Sequence, residues 1–229
     1  MLQGYEPIGI IATFEGVIDF LLHDLVLKQT IIKSKLTFYR GRLYNHRVVL
    51  VRGGVGKVNA ARCATLLIDT LSIKSIIVLG LAGSLVETLH IGDLVISEDV
   101  MQHDVDATAL GLPLGTLPGT QLRAIRADSR LVELAMEASR YVLGGDNHKG
   151  RILTGDQFIV DAKQVTFLRN LLNGVCVEME GAAVAQVCDI AGIPYVVVRC
   201  IAESHSSPKY PNFTQAAARK CAVVIREML

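Results

Sequence analysis

Three short apolar segments constrain the fold of this chain more than any other feature of its sequence. They are residues 8–12, 76–82 and 195–201, and only Arg199 in the third is charged. A strand that is apolar throughout, without alternation, is buried on both faces, which is typical of a largely parallel sheet covered by helices on each side. The sequence therefore predicts an α/β fold with a central sheet between two helical layers.

Segments with helical periodicity lie between and after these strands. Residues 30–51, rich in Ile, Thr, Tyr and Val, are predicted to add antiparallel strands, which makes the sheet mixed. Gly192 and Pro194 mark the end of one helix. No linker or internal repeat interrupts residues 1–229, so we expect a single domain of three layers, α/β/α. The predicted helices span residues 15–27, 58–71, 130–141, 162–172, 181–191 and 214–228.

Composition excludes several classes of protein. The chain has 229 residues, with 23 Lys and Arg against 22 Asp and Glu, so we expect no nucleic-acid partner. Its apolar stretches are far shorter than the roughly 18 residues that cross a membrane, and no secretory signal pattern precedes them. The five cysteines are widely spaced and form no CxxC pair, which indicates reduced thiols and a cytoplasmic location.

The glycine-rich segment at residues 53–57 resembles a phosphate-binding loop only in part. Val51 stands where a Walker A loop has its first glycine, and Val58 stands where it has a hydroxyl for Mg²⁺. Asn59 occupies the third glycine position of the dinucleotide-binding pattern. A tight turn from a strand into a helix is the better interpretation.

Two other patterns point away from common catalytic chemistries. His103, Asp104 and Asp106 are potential metal ligands, but no distant His or Cys cluster completes the set, so turn and ion-pair roles are favoured. The segment GLAGS at residues 80–84 is not the nucleophile elbow of serine hydrolases. We therefore expect no structural metal.

Charged residues follow two of the predicted strands and indicate a binding site. Glu178 and Glu180 come directly after an apolar segment and open an Ala-rich helix, while Arg199 and Glu203 lie at the end of the third apolar strand. Glutamates at this position can instead satisfy the helix amides and dipole. Ligands of open α/β sheets bind at the carboxyl ends of strands, so these residues predict a site for a polyhydroxylated, uncharged ligand.

At these residues the chain resembles the 5'-methylthioadenosine/S-adenosylhomocysteine nucleosidases, of the purine nucleoside phosphorylase superfamily. The resemblance covers nearly the whole chain. The segments QHDVD and GDQF resemble members that also cleave 6-amino-6-deoxyfutalosine. The matching segments are IGII from residue 8, GGVGKVNAA from 53, GLAGSL from 80, IGDLVIS from 91, QHDVDATALG from 102, TGDQF from 154, VEMEGAAVAQVC from 177 and PYVVVRCIAE from 194.

The resemblance implies a nucleoside phosphorylase-like fold and hydrolysis of the N-glycosidic bond of an adenine nucleoside without metal or cofactor. Phe158 is expected to stack on adenine, and the backbone of Ile159 is expected to read the purine edge. Met179 and Glu180 are expected to hold the ribose, with Glu180 binding its hydroxyls. The other residues expected around the nucleoside are Glu178, Phe14, Leu81 and Phe213, which covers the ribose.

The long loop at residues 104–120 has its own implied role. In the family it reaches into the partner subunit's site around the 5' substituent, which assigns this contact to Ala107, Leu110 and Pro118. An apolar loop of this kind would otherwise be exposed, so we expect a homodimer. The leucines on which this expectation depends are Leu110, Leu112, Leu114 and Leu117.

Two positions depart from the family's pattern. Val17 stands where the family has the Glu that serves as general base, and only a shifted alignment would bring in Glu15. Glu203 replaces the Asp that acts as general acid, and it keeps a carboxyl on a side chain longer by one methylene. The expected catalytic residues are therefore Glu203, Glu180 and Arg199, with an altered acid and base.

Three functions remain open on this sequence. The first is an adenine nucleoside hydrolase in which the attack of water is unassisted or is assisted by another group, because a dissociative transition state depends more on the leaving-group acid than on the base. The second is a nucleoside-binding homologue that has lost catalysis. The third is a phosphorylase, which is disfavoured because no cluster of arginines for phosphate is evident.

Overall fold

A computed structural model describes residues 2, 4–14, 16–203 and 213–229, with the backbone alone at Glu203 and Phe213. A π-type turn at Leu66–Thr70 follows the second helix, and a 3₁₀ turn lies at Thr108–Leu110. The strands are β1 Ile8–Ala12, β2 Val26–Lys33, β3 Leu36–Leu43, β4 His46–Arg52, β5 Ser75–Ser84, β6 Leu94–Gln102, β7 Ile125–Arg126, β8 Asn147–Thr154, β9 Cys176–Glu178 and β10 Tyr195–Glu203. The helices are α1 Val17–Asp24, α2 Lys57–Thr65, α3 Ser129–Ser139, α4 Ala162–Leu172, α5 Gly181–Ala191 and α6 Phe213–Met228.

The strands form one mixed sheet, as the sequence predicts. β1 lies at its centre and pairs in parallel with β4 and β5, while β2, β3 and β4 follow one another as antiparallel strands. β5 also pairs with β10 and β9, and β10 connects through β6 and β8 back to β9. Half of the sheet therefore closes on itself, which the sequence analysis did not predict.

Side chains of the central strands alternate between two apolar cores. Ile8 and Ile10 of β1 belong to the core beneath α1, α3 and α6, whereas Ile11 points to the core beneath α2 and α5. All three side chains are fully buried, and each such burial stabilises the fold by about 1.5–3 kcal/mol. The predicted three-layer arrangement is confirmed, and a third small core lies beneath α4.

The first helix ends earlier in the structure than the sequence predicts. The sequence predicts a helix over residues 15–27, but α1 ends at Asp24 and Leu25 is already extended, with φ −76° and ψ 119°. β2 begins at Val26, which pairs with Arg42 of β3. The ladder of hydrogen bonds to β3 therefore overrides the apolar spacing that continues through Leu27.

β6 and β8 were not identified among the predicted strands. β6 carries Glu98 and Asp99 in its middle, which interrupts the apolar pattern. Arg151 of the neighbouring β8 neutralises the charge of Asp99, since its Nε and Nη2 lie 2.6 and 2.9 Å from the two carboxylate oxygens. The compensating charge comes from a residue far away in sequence, so local periodicity does not detect it.

Within the described part of the chain, we find no helix that combines the length and the apolar character needed to span a membrane.

Candidate active site

A cavity of about 280 Å³ opens at the carboxyl ends of β1, β5 and β10, beside the end of β9. This is the edge at which the sequence places the ligand. Phe14, Leu81, Phe158, Ile159, Glu178, Met179 and Glu180 all line it, so the structure brings together seven of the predicted site residues. Sequence reasoning missed the other lining residues, which are Thr13, Val55, Ala82, Gly83, Gln157, Val177 and Ala202.

Arg199 lies fully buried beneath this cavity and is paired with carboxylates, as the sequence predicts for a charged residue in a buried strand. Its Nη2 donates to Glu178 and lies 3.4 Å from Glu180 Oε2, and its Nη1 donates to Thr13 Oγ1 at 3.1 Å. The guanidinium also lies against Gly80, where a Cβ atom would be 1.3 Å from Nη1. A side chain at position 80 is therefore incompatible with this placement of Arg199.

Glu178 has a structural environment, as the alternative interpretation of the sequence allowed. Its Oε2 accepts hydrogen bonds from the amides of Glu180 and Gly181 at 2.9 and 2.8 Å, and the Gly181 amide also lies 2.9 Å from Oε1. Thr154 Oγ1 donates to Oε1, and Arg199 donates to Oε2. Both oxygens are thus engaged at the start of α5, so Glu178 holds Arg199 and the helix in place.

Glu180 differs from Glu178 because its carboxylate has fewer donors. Gly56 N–H donates to Oε1 at 2.9 Å, and Oε2 has the longer contact to Arg199. Only 4% of the residue is exposed. Burial raises the pKa of Glu180 to about 7, opposed by the charge of Arg199 and reinforced by that of Glu178. This carboxyl group therefore exchanges its proton near neutral pH.

The glycine-rich segment is the tight strand-to-helix turn that the sequence predicts. β4 ends at Arg52 and α2 begins at Lys57, and Gly54 and Gly56 have φ values of 83° and 91°, which favour glycine. The amides at the start of α2 do bind anions, as helix N-termini commonly do. The anions are carboxylates of the protein, because Gly56 N–H binds Glu180 and Lys57 N–H binds Asp156 Oδ1 at 2.8 Å.

The turn and ion-pair interpretation of residues 103–106 is confirmed. Asp104 Oδ1 lies 2.7 Å from Lys57 Nζ, and Asp106 Oδ1 accepts hydrogen bonds from the amide and hydroxyl of Thr108. Burial opposes ionisation of Asp104, but hydrogen bonds from Lys57 and from the Asp156 amide outweigh it and lower its pKa. His103 is buried and its pKa is lowered, chiefly by desolvation, so its ring is neutral at pH 7.

The loop at residues 104–120 is less exposed than expected. Leu110 is 75% exposed, as the predicted contact with a partner requires, and Pro118 is exposed as well. Ala107 is buried and Leu112, Leu114 and Leu117 are half-buried, which corrects the expectation of a fully exposed apolar loop. The reason is local packing, since Leu114 contacts the core beneath α4 and its carbonyl accepts a hydrogen bond from Arg123.

The structure describes the position of the expected base in full, but only the backbone of the expected acid. Glu203 is the last residue of β10 and Phe213 the first of α6, and the side chains of both lie outside the described structure, as does all of Glu15. Val17 lies in the first turn of α1 and is fully buried in the apolar core. The position at which the resemblance implies a general base is therefore not among the described residues that line the cavity.

Comparisons with known proteins identify the family to which this chain is similar. Residues 7–229 match the phosphorylase superfamily. The 5'-methylthioadenosine/S-adenosylhomocysteine nucleosidase of Geobacillus thermodenitrificans is 39% identical over 225 residues, which is 96% of this chain and 95% of that protein. The Neisseria meningitidis enzyme of the same name, solved with methylthio-immucillin-A, is 31% identical with a TM-score of 0.90, covering 96% and 97% of the two chains. A futalosine hydrolase mutant of Helicobacter pylori is 30% identical with a TM-score of 0.88, again covering 96% and 97%.

Proposed function

Because the chain belongs to the phosphorylase superfamily and, within it, to the 5'-methylthioadenosine/S-adenosylhomocysteine nucleosidases, we propose that it releases adenine from an adenine nucleoside by hydrolysis. The bond that breaks is the N-glycosidic bond, and the second product is a ribose derivative. The observation that carries this proposal is the cavity, which is lined by the buried carboxyl group of Glu180 together with Phe158.

The shape and chemistry of the cavity fit the two halves of a nucleoside. Its volume of about 280 Å³ is near the lower end of the range for small-molecule sites. Phe158 is 61% exposed at the cavity, where its ring can stack on a purine, and Ile159 follows it along the wall. Met179 and Glu180 also line the cavity, and the carboxylate of Glu180 can accept hydrogen bonds from ribose hydroxyls.

The charges at the cavity favour hydrolysis through a cationic transition state. Among the described residues that line it, the only charged ones are Glu178 and Glu180. When the glycosidic bond breaks, positive charge develops on the ribosyl ring, and the carboxylate of Glu180 stabilises it. A phosphorylase would need cationic groups for phosphate, and none is found among those described lining residues. This supports water as the attacking group.

Departure of adenine is assigned to Glu203 as general acid. The backbone of Glu203 pairs with Gly83 after an irregularity at Ala202, and both Gly83 and Ala202 line the cavity. The resemblance assigns to the carboxyl group of Glu203 the proton that N7 of the leaving purine accepts. With the dissociative transition state proposed here, this proton is more important than a base for the water, which is consistent with Val17 in the core.

We also propose that the chain, as one domain of residues 1–229, forms a homodimer in the cytoplasm. Five apolar side chains, which we call the α4 face, lie on α4 and in the loops at residues 104–120 and 155–161, and they are 49–75% exposed. These two loops and α4 border one groove. Large exposed patches of this kind usually mark protein partners. The five cysteines are free and buried, which suits a reducing compartment. The α4 face consists of Phe158, Val160, Phe167, Leu171 and Leu110.

A nucleoside-binding homologue without catalysis is the second candidate. The observation that favours it is Val17, because a buried apolar side chain stands where the family has its base. The pocket residues Phe158 and Glu180 would serve binding equally well. The two candidates therefore differ in turnover and not in affinity.

One assay distinguishes these functions. The protein is incubated with 5'-methylthioadenosine, S-adenosylhomocysteine or 6-amino-6-deoxyfutalosine, and adenine release is measured with and without phosphate. We expect release that does not depend on phosphate and that falls strongly in Glu203→Gln. Tight binding of all three compounds without release would support the binding protein, and release that requires phosphate would support a phosphorylase.

A further inference from the structure

We propose that Lys57 is a positioning residue for the nucleoside site, because it joins three segments, of which the first and the third line the cavity. These segments are the turn at residues 53–57, the end of β6 at Gln102, and the loop at residues 155–161. The inference rests on the proposed function, since the third segment carries Phe158, the residue expected to stack on adenine.

The side chain of Lys57 lies between two acceptors at the end of β6. Its Nζ is 2.7 Å from Asp104 Oδ1 and 3.1 Å from Gln102 Oε1. The side chains of Lys57 and Asp104 are only 20% and 13% exposed. Gln102 in turn donates to Gln186 of α5 at 2.7 Å. Removal of the ammonium group leaves a largely buried carboxylate without its counter-ion, which is far costlier than loss of an exposed ion pair.

Asp104 extends this contact to the loop at residues 155–161. Its second oxygen, Oδ2, accepts a hydrogen bond from the Asp156 amide at 2.9 Å. The side chain of Asp156 returns to the first segment, because its Oδ1 accepts from the Lys57 amide at 2.8 Å. Lys57, Asp104 and Asp156 therefore form a closed ring of three contacts, which we call the Lys57 ring.

The Lys57 ring adjoins the nucleoside site on two sides. Gly56, one residue before Lys57, donates its amide to Glu180, and a Cβ atom at Gly56 would lie 3.1 Å from Asp156 Oδ1. Gln157, Phe158 and Ile159 follow Asp156 directly and line the cavity. The orientation of the wall and that of the Glu180-binding turn are thus set by the same ring.

This geometry predicts an effect on binding more than on turnover. Without the ammonium group the loop populates other conformations, and the affinity for ligand falls in proportion to the fraction that remains competent. If about one molecule in ten is competent, the Kd rises roughly tenfold. Once the nucleoside is bound, the wall is in place, so we expect kcat to change by less than about threefold.

The test compares Lys57→Met, Asp104→Asn and the double variant with the unchanged protein. Lys74→Met is the matched control, because Lys74 is an exposed lysine that precedes β5 at the opposite end of the sheet. KM and kcat are measured with 5'-methylthioadenosine, and Kd with adenine. Amide hydrogen exchange of residues 155–161 is followed in the ligand-free protein.

We expect both single variants to raise KM and Kd, to speed exchange in the loop, and to be non-additive in the double variant. A fall in kcat with an unchanged KM in both single variants would overturn the inference. Unchanged amide hydrogen exchange of residues 155–161 would overturn it as well. Asp104→Asn preserves the test should Lys57→Met fail to fold. If the unchanged protein neither binds nor cleaves nucleosides, the proposed function fails, and the exchange measurement alone still decides whether Lys57 orders the loop.

Discussion

The two glutamates of the cavity carry the same chemical group in opposite environments. Glu178 receives hydrogen bonds at both oxygens from amides, Thr154 and Arg199, whereas Glu180 is buried with one short contact to Gly56. Burial without full compensation destabilises the charged form, and this is the origin of the raised pKa of Glu180. The carboxylate of Glu180 therefore has fewer hydrogen-bond donors than that of Glu178, and the hydroxyl groups of a ligand can supply more.

Glu180→Gln is expected to stabilise the protein above pH 7 while weakening nucleoside binding. The pKa of Glu180 is about 7 in the folded chain against an ordinary 4.5, so the unfolded chain ionises first as pH rises from 4.5 to 7. Folding stability thus falls over this window, by up to about 3 kcal/mol, and Gln removes the loss. Denaturation at pH 5 and pH 8 checks this. The same gain at both pH values would contradict the explanation.

Gly80→Ala is expected to destabilise the protein because the new methyl group would occupy the space of the Arg199 guanidinium. Displacing a buried arginine from its carboxylates costs about 3–5 kcal/mol. Gly83→Ala in the same strand is the matched control for stability, since its Cβ would lie 3.8 Å from the nearest side chain. Urea denaturation measures both variants. Similar midpoints for the two would show that Arg199 is not held against Gly80.

The sequence predicts which residues meet at the site better than what each one does. Glu178 and Glu180 are adjacent to the same strand end, and their spacing alone does not distinguish the structural residue from the one facing ligand. The difference arises from partners distant in sequence, namely Thr154 and Arg199 for Glu178 and Gly56 for Glu180. Local patterns therefore identify the pair, and tertiary contacts assign the roles.

At the scale of elements, boundaries were correct where the cap was visible in the sequence. α5 spans the predicted 181–191 and ends at Gly192 in the left-handed conformation, with φ 64°. The predicted helix at 58–71 instead divides into α2 and a π-type turn from Leu66 to Thr70. Both parts keep apolar side chains towards the core, so periodicity alone does not separate them.

Val17→Glu is expected to destabilise α1 and not to restore a base. Val17 is fully buried in the core beneath α1, so the introduced carboxylate loses hydration without a prepared partner. We expect a loss of about 3 kcal/mol or more and no gain in adenine release. His23→Glu in the same helix is the control, because that side chain is 89% exposed. A stable Val17→Glu variant with faster release would contradict this account.

At the scale of the molecule, the site depends on a sheet covered on both faces. The apolar strands β1, β5 and β10 were predicted from sequence because burial on both faces leaves no alternation. Their parallel order brings Thr13, Leu81 and Ala202 to one edge. Closure of the other half of the sheet depends on pairings between β10 and β6 and between β9 and β5, for which no local signal exists.

The proposed dimer is expected to assemble through the α4 face. Phe167 of α4 is 53% exposed and lies beside Leu171, so a dimer that buries this face should depend on it. Phe167→Asp places a charge in an apolar interface and is expected to weaken dimerisation at least about tenfold, as loss of a central aromatic residue commonly does.

Sedimentation velocity over a range of micromolar concentrations measures this effect, with Leu143→Asp as the control, because Leu143 is 89% exposed and lies outside the α4 face. The same samples are assayed for adenine release, which we expect to fall with dissociation because the exposed Leu110 is proposed to complete the partner's site. An unchanged protein that sediments as a monomer, or a Leu143→Asp variant that dissociates as readily as Phe167→Asp, would show that the α4 face is not the interface.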